Sequence, residues 1–409
     1  MPRFMWWKQA SPDARRALVA ASFGWMLDSF DVMLWAMVLA ALMPDLGLSK
    51  ATAGLLGSLT LAASAVGGLV FGLVADRFGR RRALMASIAI YSVFTAACGV
   101  ANGVLMLAAF RLFLGLGMGG EWASGAALVS ETWPAEHRGK ALGIVQSSWA
   151  VGYALAAAVA ALILPVWGWR GVFFVGVLPA FFTLWIQRRV REPEIWTAAR
   201  AAAPKARPAF GEIFGRGRLR LTLFITLMNA CTMFGWWGFN LWLPAYLSLA
   251  PEAGGIGLGP RAMSALVIFM QAGMWLGYIT FGFISDRLGR KRSYVTFLVA
   301  AAAFMVLYSR TRQPLVLFAL GPFVAFFGTG YFTGFGALTA EIYPTAVRAT
   351  AQGLTYNAGR IVSALAPLVV GSLAQTRGFS LAFALIAAAF LLAAALWAGI
   401  PETRGRALE

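Results

Sequence analysis

Four ionisable side chains stand out among those in stretches of this chain that are otherwise apolar. Asp28 and Asp31 fall in Leu27-Asp28-Ser29-Phe30-Asp31, Glu121 follows Gly115-Leu116-Gly117-Met118-Gly119-Gly120, and Arg360 closes Tyr356-Asn357-Ala358-Gly359-Arg360. A charge held in a lipid-like interior costs about 2.5–3.5 kcal/mol on insertion scales, so each such group is a functional candidate. Asp28 and Asp31 are three residues apart, on neighbouring parts of one helical face, and such a carboxyl pair can bind and release a proton near neutral pH. Glu121, among close-packing glycines, is a second proton-handling candidate. The structural alternatives are an ion pair between one aspartate and Arg111, and a pairing of Glu121 with Arg138 or another basic residue. Arg360 lies in a region without acidic partners on its own helix or its neighbours. A carboxylate suits its planar fork, so the arginine reads as an anion-binding group, with a first-half aspartate as the rival partner.

Around these charges the apolar stretches carry polar and aromatic residues able to line a central cavity. They are Gln146, Trp149 and Tyr153, then Trp236, Trp237 and Asn240, then Gln271, Tyr331 and Asn357. For any one tryptophan or tyrosine, packing is the commoner role; Gln146, Gln271 and Asn357 are stronger candidates, because an amide exposed to lipid is unfavourable. Nothing points to an enzyme. The sole histidine, His137, lies in a Pro134–Arg138 loop, and the sequence has no metal-ligand cluster, no Ser/His/Asp set and no nucleotide-binding glycine loop. Neither a cofactor nor a metal is expected.

The elements that must position these groups are long apolar helices. Of 409 residues 60% are hydrophobic and only 12% charged, with a mean hydropathy of +0.73, which excludes an ordinary soluble domain. Segments of spanning length occur twelve times, near 17–43, 52–75, 83–101, 104–128, 141–164, 171–190, 219–248, 262–284, 293–309, 314–339, 350–373 and 379–399. We number them spans 1 to 12. Most of the net charge of +18 sits in short clusters between them. With both termini inside, 26 of the 34 Lys and Arg residues fall on the inner side and six on the outer, which places the termini in the cytoplasm and removes any need for a nucleic-acid partner. Cys98 and Cys231 both fall inside predicted helices and read as small core residues.

The chain repeats itself. Gly72-Leu-Val-Ala-Asp76-Arg77-Phe-Gly79-Arg80-Arg81-Arg82 recurs 210 residues later as Gly282-Phe-Ile-Ser-Asp286-Arg287-Leu-Gly289-Arg290-Lys291-Arg292. Glu131-Thr-Trp-Pro134-Ala-Glu-His-Arg138 recurs at the same offset as Glu341-Ile-Tyr-Pro344-Thr-Ala-Val-Arg348. One spacing for two motifs implies a duplication: residues 1–190 form one six-helix bundle, 191–218 a cytoplasmic linker and 219–409 the other bundle. The repeated Asp76, Arg77, Arg80, Glu131 and Arg138, with Asp286, Arg287, Arg290, Glu341 and Arg348, read as a cytoplasmic gate, in which glycine lets helices approach and Glu131 and Glu341 engage Arg138 and Arg348. The basic clusters would also hold anionic lipid.

These residues resemble the signature of the major facilitator superfamily, whose paired Gly-x-x-x-Asp-Arg-x-Gly-Arg-Arg/Lys motifs join spans 2/3 and 8/9. Leu27-Asp28-Ser29-Phe30-Asp31, Gly119-Gly120-Glu121-Trp122, Glu131-Thr-Trp-Pro134 and Pro165-Val-Trp-Gly-Trp169-Arg170-Gly-Val-Phe-Phe174 further resemble the sialate:proton symporter group, which includes lactate and pyruvate permeases. Two departures weigh against sialic acid itself: 191–219 is too short and polar for two extra central helices, and Arg360 has no counterpart in those carriers. The resemblance implies an all-α membrane protein of two pseudo-symmetric six-helix bundles. It would be a monomer in the inner membrane, moving a small organic anion with protons by alternating access. A monocarboxylate such as lactate or pyruvate is favoured; sialic acid, aromatic acids, dicarboxylates, efflux and a non-transporting receptor are the alternatives.

Overall fold

A computed structural model describes residue 7 and residues 10–194, 197, 215, 218–343 and 348–404; the side chains at 76, 123, 135, 136, 138 and 348–350 are outside the description. Most of the expected linker 191–218 therefore lies outside the described residues, as do the side chains of Asp76, Arg138 and Arg348 in the expected gate. Among the described residues the regular elements are all helical. Ten stretches are long and apolar enough to cross a membrane. The stretch Gly139–Arg189 holds two passes, separated where Gly168 leaves helical geometry at φ 66°, ψ −173°. Arg80–Cys98, led by three arginines, is less apolar, but its 19 residues rise roughly 28 Å, enough for another pass. Twelve passes result.

Local chemistry sets several of the ends. Span 1, Pro12–Asp45, starts on Ser11, whose hydroxyl accepts the Ala14 N–H, with proline and an acid in the first turn. Span 2, Lys50–Phe78, starts on Ser49 in the same way. It ends at Gly79 with φ 111°, and span 8, Pro260–Leu288, ends at Gly289 with φ 96°. That region is open to glycine and strained for other residues, so one residue turns the chain into span 3, and likewise into span 9, Arg290–Arg310. A Cβ added at either of the repeated glycines Gly72 and Gly282 would meet nothing within 4 Å, so the close approach expected of that motif is not made there. The motif needs its second glycine for backbone conformation.

Close approach occurs instead along span 4, Val104–Thr132. A methyl group on Gly119 would collide with the Ser64 carbonyl and the Gly68 amide of span 2, so the two backbones touch. Gly152 in span 5 lies equally tight on the Met26 carbonyl of span 1.

Two spans expected to be continuous are broken. Span 10 runs as Pro314–Thr329, a 3₁₀ turn Gly330–Gly334 and Phe335–Ile342. Span 11 runs as Arg348–Ser363 and Ala366–Thr376. Pro367 causes the second break, since it has no N–H to offer and its ring crowds the carbonyl of Ser363 four residues back. Arg360, expected at the centre of its helix, thus stands in the last turn before a break.

The two bundles meet most firmly at the end carrying Lys50. There Lys50 Nζ donates to the Ala253 carbonyl at 2.6 Å, Ala51 N–H to Gln375 Oε1 at 3.0 Å, and Leu368 N–H to Ser58 Oγ at 3.1 Å. At the opposite end, where Gly79 and Gly289 lie, no hydrogen bond or ion pair between side chains joins the bundles among the described residues.

Candidate functional site

Between the bundles lies a cavity of ≈ 30 Å³, measured as the space open to the centres of water-sized spheres. Spacing explains its walls. Met233, Trp236 and Trp237 present one face of span 7, Arg218–Ser248, at i, i+3 and i+4. Tyr356 and Arg360 do the same for span 11, Gln146 and Trp149 for span 5, and Trp25, Tyr278 and Phe332 complete the ring. The indoles brace one another: Trp25 lies 4.6 Å from Trp149 and 4.7 Å from Trp122, and Trp149 meets Trp237 edge-on at 5.9 Å. Trp236 in turn meets Phe332 edge-on at 6.3 Å.

Arg360 is the cationic side chain of this cavity and is only 4% exposed. No carboxylate comes within ion-pairing distance of it among the described residues. Its charge is nonetheless felt by Asp28, and the charge of Asp28 is felt by both Asp31 and Glu121. Asp28 is therefore the electrostatic junction between cavity and carboxyl cluster. All three acids are at most 2% exposed. Asp28 Oδ2, both oxygens of Asp31 and both of Glu121 have no hydrogen-bond partner. Leaving such atoms unpaired costs about 1–3 kcal/mol each, an expense that purely structural carboxylates avoid. Ser92 and Thr95 of span 3 stand beside Asp31 without a bond of good geometry, since Thr95 donates to the Tyr91 carbonyl.

The alternative pairings are not found. Arg111 stacks 3.9 Å over the Trp35 ring and donates to the Leu56 carbonyl at 3.3 Å, with no aspartate in ion-pairing range. Depth explains this: Arg111 is seven residues from the Lys50 end of its span and Asp31 fourteen, which puts them roughly 10 Å apart along the axis. Glu121 makes no ion pair with a basic residue of the motif among the described residues.

The other expected contact residues divide. Gln146, Trp149, Trp236 and Trp237 line the central cavity, with Gln146 beside the Tyr278 hydroxyl. Asn240 and Gln271 line a second, smaller cavity inside the second bundle, which also reaches Trp236. Tyr153 bridges the bundles by donating to the Asn240 carbonyl at 3.1 Å. Tyr331 is buried beside Tyr294 and Phe332. Asn357 donates to its own helix at Gly353 O, and its Oδ1 faces Gly68 of span 2. Neither Tyr331 nor Asn357 touches either cavity. Trp25, Tyr278 and Phe332 were not singled out from the sequence. Two had signals: Trp25 is one turn from Asp28, and Tyr278 two turns from Gln271.

At the Gly79 end, Glu131 holds Arg80 in a two-oxygen grip with a shortest distance of 2.9 Å, and Glu341 holds Arg290 likewise at 2.8 Å. The pairing repeats at the 210-residue offset and lies within each bundle; the side chains of the expected partners Arg138 and Arg348 lie outside the described residues. Asp286 joins Arg290 at 2.5 Å. Arg77 and Arg287 are exposed, with Arg77 over the Phe78 ring. A third repeated acid was missed. Glu192 accepts the Arg81 and Arg82 N–H groups at the start of span 3, and Glu402 accepts those of Arg290 and Lys291 at the start of span 9. A carboxylate at a helix N-terminus meets unpaired N–H groups and the positive end of the dipole. The signal was again the offset, 192 to 402.

The model of the Major Facilitator Superfamily matches residues 21–254 and again 247–408. A protein of Cupriavidus pinatubonensis named "Probable 4-methylmuconolactone transporter" is 35% identical, over 99% of this chain and 95% of its own. The sialic acid transporter NanX of Escherichia coli is 31% identical over 94% and 93%. Among solved structures, that of a D-xylose-proton symporter superposes with a TM-score of 0.76 at 20% identity, covering 97% of this chain and all of that one.

Proposed function

Because the chain belongs to the major facilitator superfamily and is a multi-pass membrane transport protein, we propose that it carries a small organic monocarboxylate together with protons, by alternating access. The observation that carries this reading is Arg360, buried in the inter-bundle cavity with no carboxylate of the protein in ion-pairing range. An incoming carboxylate would supply the missing counter-charge in a site largely free of water, where the attraction is strong. The walls narrow the class. Indole and phenol faces stack best on flat, unsaturated skeletons, so aromatic and conjugated acids are preferred to lactate and pyruvate, the first expectation among monocarboxylates. The relative named for 4-methylmuconolactone supports that choice.

Coupling follows from the Asp28 junction. A proton on Asp28, Asp31 or Glu121 cancels charge that the empty carrier would otherwise drag through the membrane, and the substrate anion cancels that of Arg360. The bundles 1–190 and 219–409 then rock about the linker 191–218, with the charge pairs at the Gly79 end keeping each bundle intact. The distribution of Lys and Arg supports both termini and the Gly79 end lying in the cytoplasm. The test is uptake of benzoate into proteoliposomes under an imposed pH gradient. Accumulation should follow an inward proton gradient and collapse with a protonophore, and uptake indifferent to both overturns the coupling.

A further inference from the structure

The cavity inside the second bundle has no role in the carboxylate reading. It measures ≈ 10 Å³ and is walled by Phe239, Met270, Met305, Val324 and Phe390 among others. That is room for a single water-sized group. Asn240 uses its Nδ2 on the Trp236 carbonyl one turn back, at 3.0 Å, and Gln271 uses its Nε2 on the Val267 carbonyl one turn back, at 3.3 Å. Turning either amide over would set two acceptors against each other, so the polarity is fixed. What each amide has left is its carbonyl oxygen and the second hydrogen of its NH2 group. Gln271 is 4% exposed and its Oε1 has no partner. The Thr329 hydroxyl donates to the Ala325 carbonyl at 2.7 Å.

A buried acceptor such as Gln271 Oε1 is unsatisfied until something brings an O–H or N–H to it. The way in is marked by Trp236, which lines both this cavity and the one holding Arg360. We propose that the cavity behind Trp236 is a subsite for one hydroxyl or amino hydrogen of the substrate, donated to Gln271 Oε1, and that Trp236 sets how far the ring reaches towards it. The substrate class is thereby a flat monocarboxylate bearing one hydrogen-bond donor remote from the carboxylate. This rests on the reading of Arg360 as the carboxylate site. A group with no hydrogen to donate leaves Gln271 Oε1 unpaired.

The test is binding of 3- and 4-hydroxybenzoate against 3- and 4-fluorobenzoate, measured by titration calorimetry on the full-length transporter in detergent. In the unsubstituted protein one hydroxy isomer should bind roughly tenfold tighter than its fluoro counterpart, about the worth of a buried hydrogen bond. Gln271→Met should bring that ratio to about one, while Gln271→Glu, which keeps an acceptor oxygen, should retain a preference for the hydroxyl. Equal binding of hydroxy and fluoro compounds by the unsubstituted protein would mean that the cavity holds only water and would overturn the proposal. Survival of the ratio in Gln271→Met would also overturn it. Arg360→Ala separates the two readings, because it should weaken hydroxy and fluoro compounds alike. If it weakens neither while Gln271→Met still abolishes the ratio, the carboxylate assignment fails and the subsite stands.

Discussion

Replacing Arg360 by alanine tests the centre of the reading. The guanidinium is 4% exposed and has no carboxylate of the protein in ion-pairing range, so a bound carboxylate would face both arms of the fork. A hydrogen bond to a charged group contributes about 1.5–3 kcal/mol. Two in a shared bidentate geometry, counted conservatively for non-additivity, give about 3 kcal/mol, or roughly 150-fold in affinity. Lysine keeps the charge but loses the fork, and should recover all but roughly tenfold of that loss. Quenching of the cavity tryptophans Trp25, Trp149, Trp236 and Trp237 by benzoate provides the assay. Benzamide, of the same shape without the charge, is the control. The unsubstituted protein should prefer benzoate strongly, Arg360→Lys weakly and Arg360→Ala not at all, at unchanged melting temperature. An Arg360→Ala variant that still prefers benzoate, with affinity within twofold, would refute the assignment.

Further outcomes follow from other parts of the molecule. Asp28→Asn, which removes the charge linking the cavity to Asp31 and Glu121, should abolish accumulation driven by a proton gradient yet leave exchange of labelled for unlabelled substrate. Preserved gradient-driven accumulation would exclude Asp28 from coupling. Gly119→Ala should force spans 2 and 4 apart, at a cost of about 3 kcal/mol, whereas Gly143→Ala, with open space around it, should be neutral in the same thermal-melting assay. At Glu402, burial raises the carboxyl pKa, but the N–H groups of Arg404, Arg290, Lys291 and Thr403 outweigh it and hold the value below the usual carboxylate range. A depressed folded value contributes stability that is fully present above the unfolded pKa of about 4.3 and is lost as pH falls through the folded one. The melting-temperature gap between the unsubstituted protein and Glu402→Gln should therefore be open at pH 6 and narrow below pH 4. A gap that ignores pH would remove the carboxylate from this role.

The sequence announced what free energy makes conspicuous. Asp28, Asp31, Glu121 and Arg360 could be picked out because a charge among apolar residues has no cheap explanation, and the twelve passes because lipid demands a minimum length. Glu131, Glu341, Arg80 and Arg290 were all picked out from the repeat, but that Glu131 meets Arg80 and Glu341 meets Arg290 was not, since a repeat fixes position along the chain and not which arginine an acid meets in space. Glu192 and Glu402 stayed hidden for a related reason: they bind backbone N–H groups, which leave no trace in residue identity. Trp25, Tyr278 and Phe332 were lost among many aromatic residues, because facing a cavity is decided by helix rotation. The break beside Arg360 was readable in Pro367 and was passed over because proline is common in membrane helices.

The seal at the Lys50 end is made by an ammonium on a carbonyl, an amide on the N–H of Ala51 and a serine hydroxyl on the N–H of Leu368. The amide, hydroxyl and backbone groups of this seal do not titrate near neutral pH, acid keeps the Lys50 ammonium protonated, and the carboxyl cluster lies deeper in the first bundle. If, as proposed, the Lys50 end faces outward and protons are co-transported, acid outside would act on this door only by way of the interior. External pH would then serve as a supply of co-substrate, and acidity should set how much substrate is gathered while leaving the unlatching step itself unchanged.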